Sequence, residues 1–333
     1  MGTADAMVSS QEQSWAEQVS ACLQNGQLQR ARSVVHHWMQ HYFNQLPPHP
    51  PREALRQPLL WQALADVVER TGDQYLLELF WQEMDRFSLA PTLVGAALPL
   101  LGIPILNRPD LLLRLLDGLD VTVDRLAIVD NSGGSAAEAD VHQALTELEQ
   151  SGHPRVRQIA VARPFANAGV AMSWNLILRS FPSAPVAVLL NNDVRIAPGT
   201  LAEALGRVDC SRAQFLPLLP VPQEFSAFLL TPGCWDRIGL FDPDFHPAYC
   251  EDLDYRDRLR RDPNVGWLTA KDLQERMAEL NPSSSATINS DPQLKVFNAT
   301  SFALNRLWYL SHRRIRQDPR GTWIRQWLCE WTI

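Results

Sequence analysis

The chain has 333 residues, 46% of them hydrophobic and 20% charged, which excludes a lone small module, a disordered chain and a collagen-like repeat. Lys and Arg number 30 against 37 Asp and Glu, a net charge of −7, so a chain-wide electrostatic footprint for nucleic acid is excluded as well. The five cysteines, Cys22, Cys210, Cys234, Cys250 and Cys329, form no C-x-x-C pair and are expected to be reduced thiols of a cytoplasmic protein.

The N-terminus carries Asp5, Glu12 and Glu17 rather than the basic start and apolar run of a signal peptide. No apolar stretch approaches the roughly 20 residues of a membrane span. Residues 1–90 read as a helical accessory domain, with Val19, Cys22, Leu23, Val34, Val35 and Trp38 recurring at three- and four-residue spacings. A Pro-rich connector at 47–51 splits it into two helical hairpins, and the turn glycines Gly26 and Gly72 mark a weak helix-pair repeat. Such a domain serves as a cap or scaffold, or as a peptide-binding array.

From Ala96 the pattern becomes α/β. Strands are expected at Leu98–Leu106, Arg125–Val129, Val156–Val161 and Val186–Leu190, with helices at Asp110–Leu119, Ala136–Gln150 and Ala168–Phe181 between them. That alternation predicts a mostly parallel, Rossmann-like sheet. Residues 311–333 form a basic, Trp-rich tail predicted to be helical, with Trp323, Trp327 and Trp331 at four-residue steps on one face. The stripe suits a core or partner contact, or a peripheral contact at the inner face of a membrane.

In an open α/β sheet the ligand lies outside the carboxyl ends of the strands. Here those ends read Asn107-Arg108-Pro109-Asp110, Asp130-Asn131-Ser132-Gly133 and Asn191-Asn192-Asp193. One such loop is ordinary turn chemistry; three in register point to a site. No G-x-G-x-x-G follows a strand and no G-K-S or G-K-T closes a phosphate loop, and H-E-x-x-H and G-x-S-x-G are missing too. A bound nucleotide would therefore be held by side chains and a metal.

The order of motifs resembles the family 2 glycosyltransferases of the GT-A fold, and among them bacterial rhamnosyltransferase-like members. The pieces are Ile103-Pro104-Ile105-Leu106-Asn107-Arg108, Val129 to Gly133, Asn167-Ala168-Gly169 with Asn175, Leu189 to Asp193, and Gly239-Leu240-Phe241-Asp242 leading into Glu251-Asp252. The resemblance implies a GT-A domain over 92–310, a nucleotide-diphospho-sugar transferase that inverts the anomeric centre. By it, Pro104, Leu106, Asn107, Arg108, Asp130, Asn131 and Ser132 lie along the donor nucleotide. Asn167, Gly169, Asn175, Asn191 and Asn192 line the rest of the donor site. Asp193 holds Mn2+ or Mg2+ through the donor diphosphate, and Asp252 is the general base with Glu251 beside it.

The implied partners are a UDP-, GDP- or dTDP-linked sugar and a glycan or lipid-linked acceptor. Turn capping for Asp130, helix capping for Asn167 and helix-dipole placement for the acids of 251–254 are the structural alternatives. Two departures from the family pattern stand out. Asn191 replaces an acid, and Leu280-Asn281 stand before Ser283-Ser284-Ser285 where a metal-binding His is often found. They leave open a catalytically weakened sugar-nucleotide-binding protein, or an assembly scaffold acting through the N-terminal helices.

Overall fold

Apolar residues at helical spacing shape the first part of the chain, in a computed structural model that describes residues 10–47, 50, 52–84, 97–282, 287 and 292–312. Helices α1 (Ser10–Gln24) and α2 (Leu28–Asn44) turn at Gly26, and α3 (Pro58–Thr71) and α4 (Gln74–Met84) turn at Gly72. A 3-10 helix, Arg52–Leu55, lies between the two hairpins. Val35, Trp38, Met39, Phe43, Leu60, Val67 and Leu76 form their buried core. Arg32 pairs with Asp73, whose carboxylate also accepts the Leu76 N–H at 3.1 Å and so fastens the start of α4. The chain divides into compact units at residues 1–89 and 90–333.

In the second unit the apolar runs pair as parallel strands. They are β1 (Leu100–Ile105), β2 (Val123–Asp130), β3 (Val156–Ala162) and β4 (Ala187–Leu190), with crossover helices α5 (Pro109–Asp117), α6 (Glu138–Ser151) and α7 (Gly169–Ser180). Two strands that the sequence did not suggest, β5 (Gln214–Pro217) and β6 (Ala227–Leu230), and the short β7 (Gly266–Trp267) complete a seven-stranded sheet ordered β3-β2-β1-β4-β6-β5-β7. The sheet is mixed, because β6 runs antiparallel to both β4 and β5. Residues 218–226, which join β5 to β6, are too few for the dozen-residue crossover a parallel pair requires.

Side chains alternate across the sheet as its period of two demands. Leu101, Ile103 and Ile105 join a core with Leu112, Leu115, Val141 and Leu145. Leu100, Ala187 and Leu189 face the other way, toward Trp174, Ile177, Phe228, Phe241 and Tyr255. The remaining helices are α8 (Thr200–Gly206), α9 (Pro232–Ile238), α10 (Glu251–Arg261), α11 (Lys271–Leu280) and α12 (Pro292–His312). No described helix is long and apolar enough to cross a membrane.

This topology decides where polar residues meet. Parallel β1, β2 and β4 deliver residues 106–108, 131–135 and 191–193 to one edge. Antiparallel β6 brings its preceding loop to that edge too: Leu190 pairs with Ala227, and the Asn191 N–H donates to the Ser226 carbonyl at 2.9 Å.

Candidate functional site

At that edge lies a cavity of about 1620 Å³, larger than the roughly 300–1,000 Å³ that a single small ligand fills. Pro104, Leu106, Asn107 and Arg108 line it from β1, Asn191, Asn192 and Asp193 from β4, and Glu251 and Asp252 from the start of α10. Asn131, Asn167 and Gly169 reach the wall as well.

Asp130, Ser132 and Asn175 do not line the cavity. Asp130 accepts the Ser132 N–H at 2.9 Å, and the Ser132 hydroxyl accepts the Asn107 N–H at 2.9 Å, so these two side chains build the turns behind the wall. Asn175 is spent on Phe241, donating to its carbonyl at 2.8 Å and accepting its N–H at 2.9 Å. Asn175, expected along the donor site, is a buried amide with both ends bonded to backbone, and it positions the Phe241 segment.

The start of α7 is also committed to the protein. Asn131 Oδ1 accepts the Ala168 N–H at 2.9 Å, Asn167 Oδ1 the Gly169 N–H at 2.9 Å and the Pro247 carbonyl the Val170 N–H at 2.8 Å. These are the donors an anion would use at a helix N-terminus, and they are occupied. Gly169, at φ +76°, also packs closely on residues 246 and 247: a Cβ there would lie 2.7 Å from the Pro247 carbonyl oxygen.

The acidic segment is held under strain. Tyr249 and Cys250 have φ of +79° and +72°, and Asn107 across the cavity has φ +56°, values that non-glycine residues rarely adopt and that cluster at functional sites. Helix α12 fixes this segment, because Asn305 donates to the carbonyls of His246 at 3.1 Å and Ala248 at 2.7 Å. The Asn107 Oδ1 atom is buried without a hydrogen-bond partner among the described residues. It is an acceptor available to a ligand.

The two adjacent carboxyls differ. Glu251 is 5% exposed, and burial, reinforced by the charge of Asp252, holds its carboxyl well above the usual carboxylate range. Asp252 is half-buried and accepts the Leu253 N–H at 2.8 Å; burial raises it from its ordinary value as well. Asp254, by contrast, pairs with Arg258 at 2.7 Å within the helix. Arg108 is held by Asp110 through two bonds of 2.7 and 2.6 Å, an arrangement that raises the guanidinium further, with Asp193 contributing.

Among the described residues no group of three or more His, Cys, Asp and Glu side chains gathers to hold a metal ion. The oxygen donors present, Asp193 with the neighbouring Asn191 and Asn192 amides, fit a hard divalent cation only if a ligand's own oxygens complete its shell. Asn281, which precedes Ser283 to Ser285, is fully engaged with backbone. Its amide accepts the Arg195 N–H and donates to the Arg195 carbonyl, both at 2.8 Å. Ser283 to Ser285, the Trp323, Trp327 and Trp331 stripe and Cys329 lie outside the described residues.

Sequence reasoning missed Glu224, Phe225 and Arg256. Phe225 and Arg256 line the cavity, and buried Glu224 accepts from Arg256 at 2.8 Å. The loop carrying Glu224 and Phe225 could not be assigned to the site while β5 and β6 were unrecognised.

No protein-family model matches the chain, and no curated protein matches it. Solved structures similar to it include S. aureus TarS 1-349, at 13% identity and TM-score 0.38 over 50% of this chain and 57% of that one. S. aureus TarS aligns at 13% and 0.37 over 51% and 34% of the two chains. GalNAc-T7 with UDP, GalNAc and Mn2+ aligns at 12% and 0.38 over 48% and 40%. The chain thus spans less than two thirds of the length of each.

Proposed function

We propose that residues 92–310 are an inverting GT-A glycosyltransferase that moves a sugar from a nucleoside diphosphate to an acceptor hydroxyl. One observation carries the reading: Asn191–Asp193 at the end of β4 and Glu251–Asp252 at the start of α10 line the same cavity, in the chain order that the sequence resemblance requires.

The donor nucleotide lies along Pro104, Leu106, Asn107 and Arg108, where the buried Asn107 Oδ1 accepts a hydrogen bond and Arg108 supplies positive charge. Asp193, with Asn191 and Asn192, would hold Mn2+ or Mg2+. When bound, the cation neutralises charge on the departing diphosphate. Asp252, ionised before Glu251, takes the proton of the acceptor hydroxyl. As that proton leaves, the acceptor oxygen bonds to the anomeric carbon and the bond from that carbon to the diphosphate oxygen breaks, so one displacement inverts the centre.

The acceptor belongs to a glycan or a lipid-linked carrier. The resemblance to rhamnosyltransferase-like members extends the donor candidates to deoxyhexoses. A second reading is favoured by Asn281: with that position clamped to backbone and no three-group metal cluster among the described residues, the cavity would bind a sugar nucleotide without turning it over.

The metal assignment is tested by calorimetry with UDP-, GDP- and dTDP-hexoses, in EDTA and across a Mn2+ titration. Wild type is expected to bind its donor more tightly with the cation, and Asp193→Ala to lose that gain while keeping the metal-free affinity. Equal binding by the two proteins throughout the titration overturns the assignment.

A further inference from the structure

We propose that Glu224 is a positioning residue of this site: it pins Arg256 to the cavity wall one helical turn beyond Asp252, and the two opposite charges, each acting on that carboxylate, together set the charge around it. The proposal rests on the reading of Asp252 as the base. Glu224 is 2% exposed, and its Oε1 accepts from Arg256 Nη1 at 2.8 Å. Arg256 itself lines the cavity and is four residues from Asp252 on α10, so the two share a helix face.

The loop that carries Glu224 is registered against the Asn191–Asp193 loop by the bond from the Asn191 N–H to the Ser226 carbonyl. Glu224 thus joins the two halves of the cavity. A purely structural ion pair explains this less well. Burying two charges returns little net stability, and Glu224 Oε2 has no hydrogen-bond partner among the described residues, which a pair kept for stability would not leave unsatisfied.

The groups acting on Asp252 come from each side. Glu224 on the β5–β6 loop raises its pKa and Arg256 on its own helix lowers it. The neighbouring Glu251, Tyr249 and Cys250 are each raised by the charge of Asp252, and Arg306 of α12 acts on Cys250. Removing Glu224 and removing Arg256 should therefore move Asp252 in opposite directions.

The experiment follows the titration of Asp252 by carboxyl 13C NMR in the full chain without substrate, assigned by Asp252→Asn. Glu224→Gln is expected to lower the Asp252 midpoint and Arg256→Gln to raise it, each by about one pH unit. The double variant Glu224→Gln/Arg256→Gln should return it toward the wild-type value. If Glu224→Gln fails to fold, the comparison of Arg256→Gln with the double variant carries the test. An unmoved midpoint, or the same midpoint in Arg256→Gln and the double variant, overturns the proposal. Because no sugar nucleotide is present, failure of the transferase reading leaves this result unaffected and is recognised separately by absence of donor binding.

Discussion

Asp252→Asn is expected to leave donor affinity intact and to slow sugar transfer by roughly a hundredfold to ten-thousandfold, the contribution of a well-placed general base. The amide keeps the size of the side chain and still accepts the Leu253 N–H that Asp252 now takes at 2.8 Å, so the helix start is preserved while the proton acceptor is lost. Glu251→Gln is the informative comparison. Glu251 is buried, and burial raises its carboxyl well above the usual carboxylate range, so replacing it by a neutral amide should cost far less. Wild-type kcat/KM should rise with pH as Asp252 ionises. Since burial raises that group above its ordinary value, the acid limb should lie above the ordinary value of an aspartate and disappear in Asp252→Asn. Equal, mild losses in both variants would return the acid pair to a role at the helix N-terminus.

Gly169→Ala should be the most damaging small substitution near the cavity. At φ +76° an alanine pays about 1–2 kcal/mol for its left-handed backbone. Its Cβ would also lie 2.7 Å from the Pro247 carbonyl oxygen and 2.9 Å from His246 Nδ1, and such overpacking adds about 1–3 kcal/mol. The total of about 2–5 kcal/mol is a large share of the roughly 5–15 kcal/mol by which folded proteins are stable. Gly134→Ala separates the two causes, because Gly134 has φ +78° but nothing within 4 Å of its missing Cβ. In urea unfolding, Gly169→Ala should lose clearly more stability than Gly134→Ala. Equal midpoints would mean that the contact with residues 246 and 247 is not tight in solution.

The parts of this fold that sequence reveals are those whose pattern is local. Leu100–Ile105 is apolar over its length and Val123–Asp130 over its Leu126–Val129 part, and both end in polar turns, so both the strands and the polar edge could be read directly. Strands β5 and β6 have four residues each, bounded by Pro217 and the 218–226 loop. They carry too little pattern to show, and with them Glu224 was lost from view.

The site divides in the same way. Asn191–Asp193 and Glu251–Asp252 announce themselves as polar residues after a strand and before a helix. Whether an asparagine faces ligand or backbone depends on a partner far along the chain. Asn175 meets Phe241 across 66 residues, and Asn281 meets Arg195 across 86; no spacing rule reaches that far. The start of α7 resembles an anion site for the same reason, since its capping carbonyl comes from Pro247.

The central claim is that the cavity is built for a nucleoside-diphosphate sugar. Its most direct test is a thermal-shift screen of the full chain with UDP-, GDP- and dTDP-sugars, each with and without Mn2+, because a ligand that binds only the folded state raises Tm with its concentration. The account predicts a saturable rise for at least one of these donors, larger with Mn2+, that is weakened in Asp193→Ala. A flat response to every donor, with and without the cation, would contradict it.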